Sequence, residues 1–161
     1  MQQLFEFVRD SIDHSFDTQQ TQITNKASDV LVNGHGICYA KSHLLAAMVR
    51  SIGIPAGFCY QKIIFDDQAA ELMFILHGLN AIYLESHKKW VRLDPRGNKP
   101  GIDVEFSVEK DCLAFPIRSQ LGEIDYPKVY TEPNRVIVEC LATTSCWNFS
   151  AIGQQLPSDL L

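Results

Sequence analysis

The sequence predicts an α+β fold, with helices first and an antiparallel sheet of consecutive strands after them. Three observations carry this expectation. Residues 38–52, "CYAKSHLLAAMVRSI", run without an internal Gly or Pro and are rich in strong helix formers. Beyond Pro55 the pattern changes to apolar and aromatic runs of strand length. Two of those runs are separated only by the polar "ESHK", the signature of a hairpin.

Taken in order, Leu4, Phe5, Val8 and Ile12 recur at helical spacing, so residues 3–13 read as a short amphipathic helix. A second helix is expected over residues 26–32, capped by Thr24 or Asn25. "NGHG" then breaks the chain with two glycines. In the helix at 38–52, Leu44, Leu45, Met48, Val49 and Ile52 form the apolar stripe. Arg50 complements its C-terminal dipole, and Gly53 and Pro55 close it. Strands are expected at 56–65, 73–84 and 89–95, followed by the turn-rich "DPRGNKPG". "DVEFSV" and "CLAFPI" read as further short strands. "TEPNRVIVECLATT" reads as a helix with Thr131 as N-cap and Pro133 near its start, although "VIVE" is equally compatible with a strand. The third of the chain from Val104 on carries no functional motif. It is expected to complete the sheet and border a cleft with the aromatic "DYPKVY".

At 161 residues the chain suits one domain, residues 1–161, with one core. Its 46% hydrophobic and 20% charged residues are ordinary for a globular protein. A net charge of −5 argues against nucleic-acid binding through a basic field. No apolar run is long enough to span a membrane, and Glu6, Arg9, Asp10 and Asp13 break any signal-peptide core, so the cytoplasm is the expected compartment. Five widely spaced cysteines without a CxxC pair do not form a disulfide framework or a zinc ribbon.

Cys38 draws attention because it stands at the start of the strongest helix. Unpaired backbone N–H groups and the positive dipole end favour a thiolate there, and the adjacent amides suit an oxyanion. Gly34 and Gly36 leave room for a substrate to approach the backbone. The plain alternative is a buried cysteine acting as a small hydrophobe. A thiol nucleophile needs a base. His43 lies about 140° around the helix from Cys38, His35 is in the loop, and His87 is at a hairpin tip. His77 is unusual because it interrupts the apolar "FILHGLNAIYL". If the hairpin turns at Glu85–Ser86, Leu84 faces His87 and His77 faces Asp94, which places imidazole and carboxylate on one face. Asp94 also opens the turn signature "DPRG", and Arg96 reads as a solvated turn residue, with pairing to Asp94 or to a substrate carboxylate as the alternatives. Trp90 shares parity with Asp94, so it either shields the pair or packs in the core. A metal site from His35, Cys38 and His43 has no standard zinc geometry.

Together, "GHGICYAKSHLLAAMVRSIGIPAG", "HGLNAIYL" and "KWVRLDPRGN" resemble the transglutaminase-like superfamily, whose fold is related to the papain-like cysteine proteases. The matching residues are Gly36 and Cys38; Arg50, Gly53, Ile54, Pro55 and Ala56; His77; and Trp90, Asp94 and Pro95. They lie within about residues 25–98. The chain has His77-Gly78-Leu79-Asn80 where many members have His-x-Trp, which resembles a bacterial subgroup described as transglutaminase-like or cysteine protease. The resemblance implies a papain-like core, with Cys38 as nucleophile, His77 as acid/base and Asp94 as its orienting partner. It implies no cofactor. The implied partners are a peptide or protein substrate, attacked at an amide or glutamine-type carbonyl, and an optional amine acceptor; nucleic acid and membrane are not among them. The Cys38 N–H is the expected oxyanion donor, with His14, Ser15 or Gln61 as candidates for a second. The alternative is a catalytically silent binding domain of the same family.

Overall fold

The computed structural model describes residues 1–160. They form α1 (Gln2–Ser11), β1 (Asp13–His14), α2 (Ala27–Asn33), β2 (His35–Gly36), α3 (Cys38–Ser51), β3 (Ala56–Ile64), β4 (Phe74–Leu84), β5 (Lys89–Leu93), a 3-10 turn (Ser119–Leu121), β6 (Ile124–Asp125), α4 (Arg135–Thr143) and α5 (Ile152–Gln155). No described helix is long and apolar enough to cross a membrane.

α3 is the hub. Tyr39, Leu44, Leu45 and Val49 are buried along it, and α1 and α2 pack on it with Phe5, Val8 and Val30. The helix lies against an antiparallel sheet of order β5-β4-β3-β6. Gly53, at φ 78, allows the left-handed turn that ends α3, and its N–H donates to Arg50 O. Arg50 does more than complement the dipole. Its guanidinium donates to the carbonyls of Ala56 and Thr131, tying the helix end to β3 and to the chain before α4.

Several expectations need correction. α2 is capped at Lys26, whose backbone N–H donates to Asp29; Thr24 is spent on a hydroxyl bond to His35 O instead. α4 begins at Arg135, with Asn134 rather than Thr131 as the cap, because Asn134 Oδ1 accepts the Val136 N–H at 3.0 Å. "DVEFSV" and "CLAFPI" are not strands. Val104 and Ala114 are buried and Phe106, Val108, Leu113, Phe115 and Ile117 half-buried, but polar backbone groups pair with side chains: Val104 N–H donates to Asn98 Oδ1 and Ala114 N–H to Asp94 Oδ2. The hairpin register also differs. Leu84 pairs with Lys89 and Asn80 with Leu93, because Glu85–Lys88 form a four-residue loop with Lys88 at positive φ. A shift of two residues preserves every side chain's face. β6 and a bridge between Phe58 and Tyr130 complete the sheet beside β3, as expected for this third of the chain, but no residue of "DYPKVY" lines the cavity beside Cys38.

Two local features set the distance between α3 and its surroundings. At Gly78 a Cβ atom would lie 2.8 Å from Tyr39 Cδ1, so strand and helix meet closely only because that position has no side chain. Lys41 is fully buried, and its ammonium donates to the carbonyls of Arg9, Ile12 and Arg96. Burial lowers its pKa to about 8, yet each N–H has an acceptor at the end of α1 or in the loop after β5. Gly78→Ala is expected to cost about 1–3 kcal/mol of stability by overpacking, read as a lower denaturant midpoint at constant slope. Lys41→Met, which orphans those carbonyls, is expected to cost about 2–4 kcal/mol in the same measurement.

Candidate active site

Cys38 is the first residue of α3, so its backbone N–H has no partner within the helix. Its side chain is 9% exposed and faces a cavity of about 550 Å³. Three bonds seat this first turn on β4. Tyr39 OH donates to Leu76 O, Ser42 Oγ lies 2.8 Å from Cys38 O and 3.2 Å from Gly78 O, and Asn80 Nδ2 donates to Ser42 O. Leu76 and Gly78 flank His77, so the helix start is held on both sides of that residue.

His77 is 2% exposed, and its Nε2 is 2.7 Å from Asp94 Oδ2. With Nε2 committed to Asp94, Nδ1 is the ring atom left for Cys38, whose nearby thiol contributes to the raised pKa of the ring. The ring of Phe115 stands edge-on to the imidazole at 4.9 Å. Burial pushes the His77 pKa down, but the charges and hydrogen bonds of Asp94 and Cys38 outweigh it and raise it to about 10. Asp94 is fully buried. Burial pushes its pKa up, and the charge and bond of His77, with N–H bonds from Ala114 and Arg96, hold it below the usual value. The pair is therefore imidazolium and carboxylate at neutral pH. Asp94 serves both the turn and the histidine, since Oδ1 accepts the Arg96 N–H at 3.1 Å while Oδ2 faces His77.

The other sequence-derived candidates divide. His14 lines the cavity with Cys38 and His77; β1 pairs in parallel with β2, setting His14 opposite Gly36. Its Nδ1 is buried without a partner, and burial together with Arg96 pushes its pKa well down, so the ring is neutral. Gly36 itself does not line the cavity. A Cβ there would meet Ala40 at 2.9 Å and Thr24 Oγ1 at 3.1 Å, so this glycine allows close packing rather than substrate approach. Gln61 is buried beside His77 in the β3–β4 register, with Oε1 unpartnered, and backs the imidazole rather than lining the cavity. Ser15 bonds His35 Nδ1 at 3.0 Å. Trp90 is 47% exposed and packs edge-on against Tyr83, so it neither shields the pair nor enters the core. Its strand parity holds only inside the ladder, and Asp94 lies past the end of β5. His43 Nδ1 is 2.8 Å from Asn25 O, so neither His35 nor His43 turns to Cys38.

Arg96 is a correction of a different kind. It is 5% exposed, not solvated, and forms a two-pronged ion pair with Asp17 at 2.8 and 3.0 Å. Burial would raise Asp17, but bonds from Arg96 and Lys99 hold it at about 2. All three line the cavity. Asp17 and Arg96 are 79 residues apart, and no local pattern marks such a pair. Phe149, Ile152 and Leu156, from the motif-free C-terminal third, also reach the cavity.

No curated protein matches the chain closely enough to count as a relative. The family model described as "Transglutaminase-like superfamily" matches residues 1–95, the stretch that supplies Cys38, His77 and Asp94. With a match over more than half of its length and a helix-on-antiparallel-sheet core to accompany it, the chain belongs to the transglutaminase-like superfamily.

Proposed function

We propose that this protein is a thiol-dependent acyl-transfer enzyme, acting on an amide carbonyl as a cysteine amidase or protease, or as a transglutaminase-like transferase. The observation that carries the reading is the buried 2.7 Å bond between His77 Nε2 and Asp94 Oδ2, on a ring whose other side serves the thiol at a helix start.

In the first step Cys38 Sγ attacks the carbonyl carbon and the C=O electron pair moves to oxygen. The unpaired Cys38 N–H faces that oxyanion, and neutral His14 is the second donor. His77 gives its proton to the leaving nitrogen as the C–N bond breaks, which leaves a thioester. In the second step water or an amine attacks the thioester, His77 takes the proton of the attacker, and Sγ departs as thiolate. Asp94 holds the ring orientation and stabilises the imidazolium throughout. The acceptor decides between hydrolysis and transfer.

Iodoacetamide labelling from pH 5 to 8 is expected to modify Cys38 faster than the exposed Cys146, most clearly at the acid end, with site-resolved mass spectrometry as the readout. Equal rates would sink the activated-thiol reading, as would a Cys38→Ala variant retaining wild-type turnover of any amide substrate.

Stability supplies a second test. The unfolded imidazole titrates near about 6.5, whereas folded His77 titrates at about 10. Its contribution to stability is thus complete below the first value, declines between the two, and is gone above the second. The melting-temperature gap between wild type and His77→Gln is expected to be widest near pH 6 and to close towards pH 10. A gap independent of pH would contradict the imidazolium–carboxylate pair.

A further inference from the structure

The cavity around Cys38 has two unlike ends. On one side it shares His14, Asp17, Arg96 and Lys99 with a neighbouring polar crevice lined by Arg9, Asp10 and Lys41. On the other it shares Ile63, Ile64, Phe65, Ile102 and Phe115 with a crevice beneath the β3–β4 hairpin. The C-terminal segment walls that second end, where Ile152 and Leu156 line the cavity together with Ile75. The segment is fixed there: Leu76 N–H donates to Pro157 O at 2.7 Å, and Asp159 bonds Lys62 and Tyr126. At Gly153 a Cβ would overlap Met73 Sδ, so α5 lies directly on the hairpin. The rim beside the hairpin is apolar too, with Phe65 and Met73 each more than a third exposed. Within the cavity no charged or amide side chain lines this end, and the crevice beyond it carries Asp67, Arg118 and Glu123 already paired with one another.

We infer that this end is the acyl-binding pocket and that it takes an apolar acyl group, aliphatic or aromatic and longer than acetyl, in preference to an acyl chain whose far end carries a polar group such as a carboxamide. The inference rests on the acyl-transfer reading and narrows it. A cavity of about 550 Å³ holds a moiety of that size. Burying a carboxamide at the far end of the acyl chain here would leave its N–H and C=O groups without partners, a cost that an alkyl chain avoids. The carbonyl sits at Cys38 between the two ends, so the leaving group lies towards the polar end, where Arg96, Asp17 and Lys99 are already paired.

The test uses p-nitrophenyl esters of acetate, butyrate, hexanoate and octanoate, with the glutaramate ester as a polar chain. In each case Cys38 Sγ attacks the carbonyl, a C–S bond forms, the C–O bond breaks and p-nitrophenolate leaves. Acylation of Cys38 is read from the nitrophenolate burst and from the acyl mass on its peptide. The expected rate constant per unit concentration rises with chain length, by up to about fourfold per methylene, and the glutaramate ester lags behind hexanoate. Phe65→Ser and Ile152→Asn are each expected to lower the octanoate-to-acetate ratio. Rates independent of chain length, a faster glutaramate ester, or ratios unchanged in both variants would overturn the apolar pocket and leave the thiol chemistry standing. Acylation of Cys38 no faster than that of Cys146 would overturn both.

Discussion

The structure depends on one close contact, between the first turn of α3 and the middle of β4. Gly78 offers no side chain, so Tyr39 lies directly against the strand, and the Tyr39 and Ser42 hydroxyls reach the carbonyls on either side of His77. Because those bonds flank His77, the thiol at the mouth of the helix and the imidazole on the strand have a fixed separation. The sheet can curl and its edges vary, but a displacement at this contact would part Cys38 from His77.

A second clasp holds the carboxylate. The loop after β5 is bound from three directions: Arg96 O accepts the Lys41 ammonium, the Arg96 guanidinium pairs with Asp17, and the Asp94 carboxylate takes two backbone N–H groups besides His77. Three buried charged side chains in one region would be destabilising if any were unpaired. Each has its hydrogen bonds instead, and together they join α1, α3, β1 and the loop into one unit. Such a network lets Asp94 remain ionised at no exposure to solvent, which keeps the His77 pKa raised.

Much of this was legible in the residues because its physical signals are local. Helical spacing, the Gly53-Ile54-Pro55 stop, apolar strand runs and a polar hairpin tip all act within a few residues. Three of the four expected helices and all three long strands start and end within two residues of the expected bounds, and the fourth helix, α4, begins three residues late. A register error of two residues left every face within the ladder unchanged, and His77 meets Asp94 just past the end of β5. The segments "DVEFSV" and "CLAFPI" misled for a related reason: strand-like composition reports burial, and burial without a neighbouring strand gives extended chain, not sheet.

By itself the sequence determined the helix with a cysteine at its start, the apolar strand interrupted by a histidine, and the aspartate that opens a turn. Those features depend on backbone propensity and periodicity, which neighbours in the chain dictate. Tertiary structure alone decided that His14 faces the cavity while Gly36 and Trp90 do not, that Arg96 is buried against Asp17, and that Phe149, Ile152 and Leu156 wall the pocket. These placements rest on contacts between residues far apart in the chain, where packing and the pairing of buried charge, not local pattern, determine the partner.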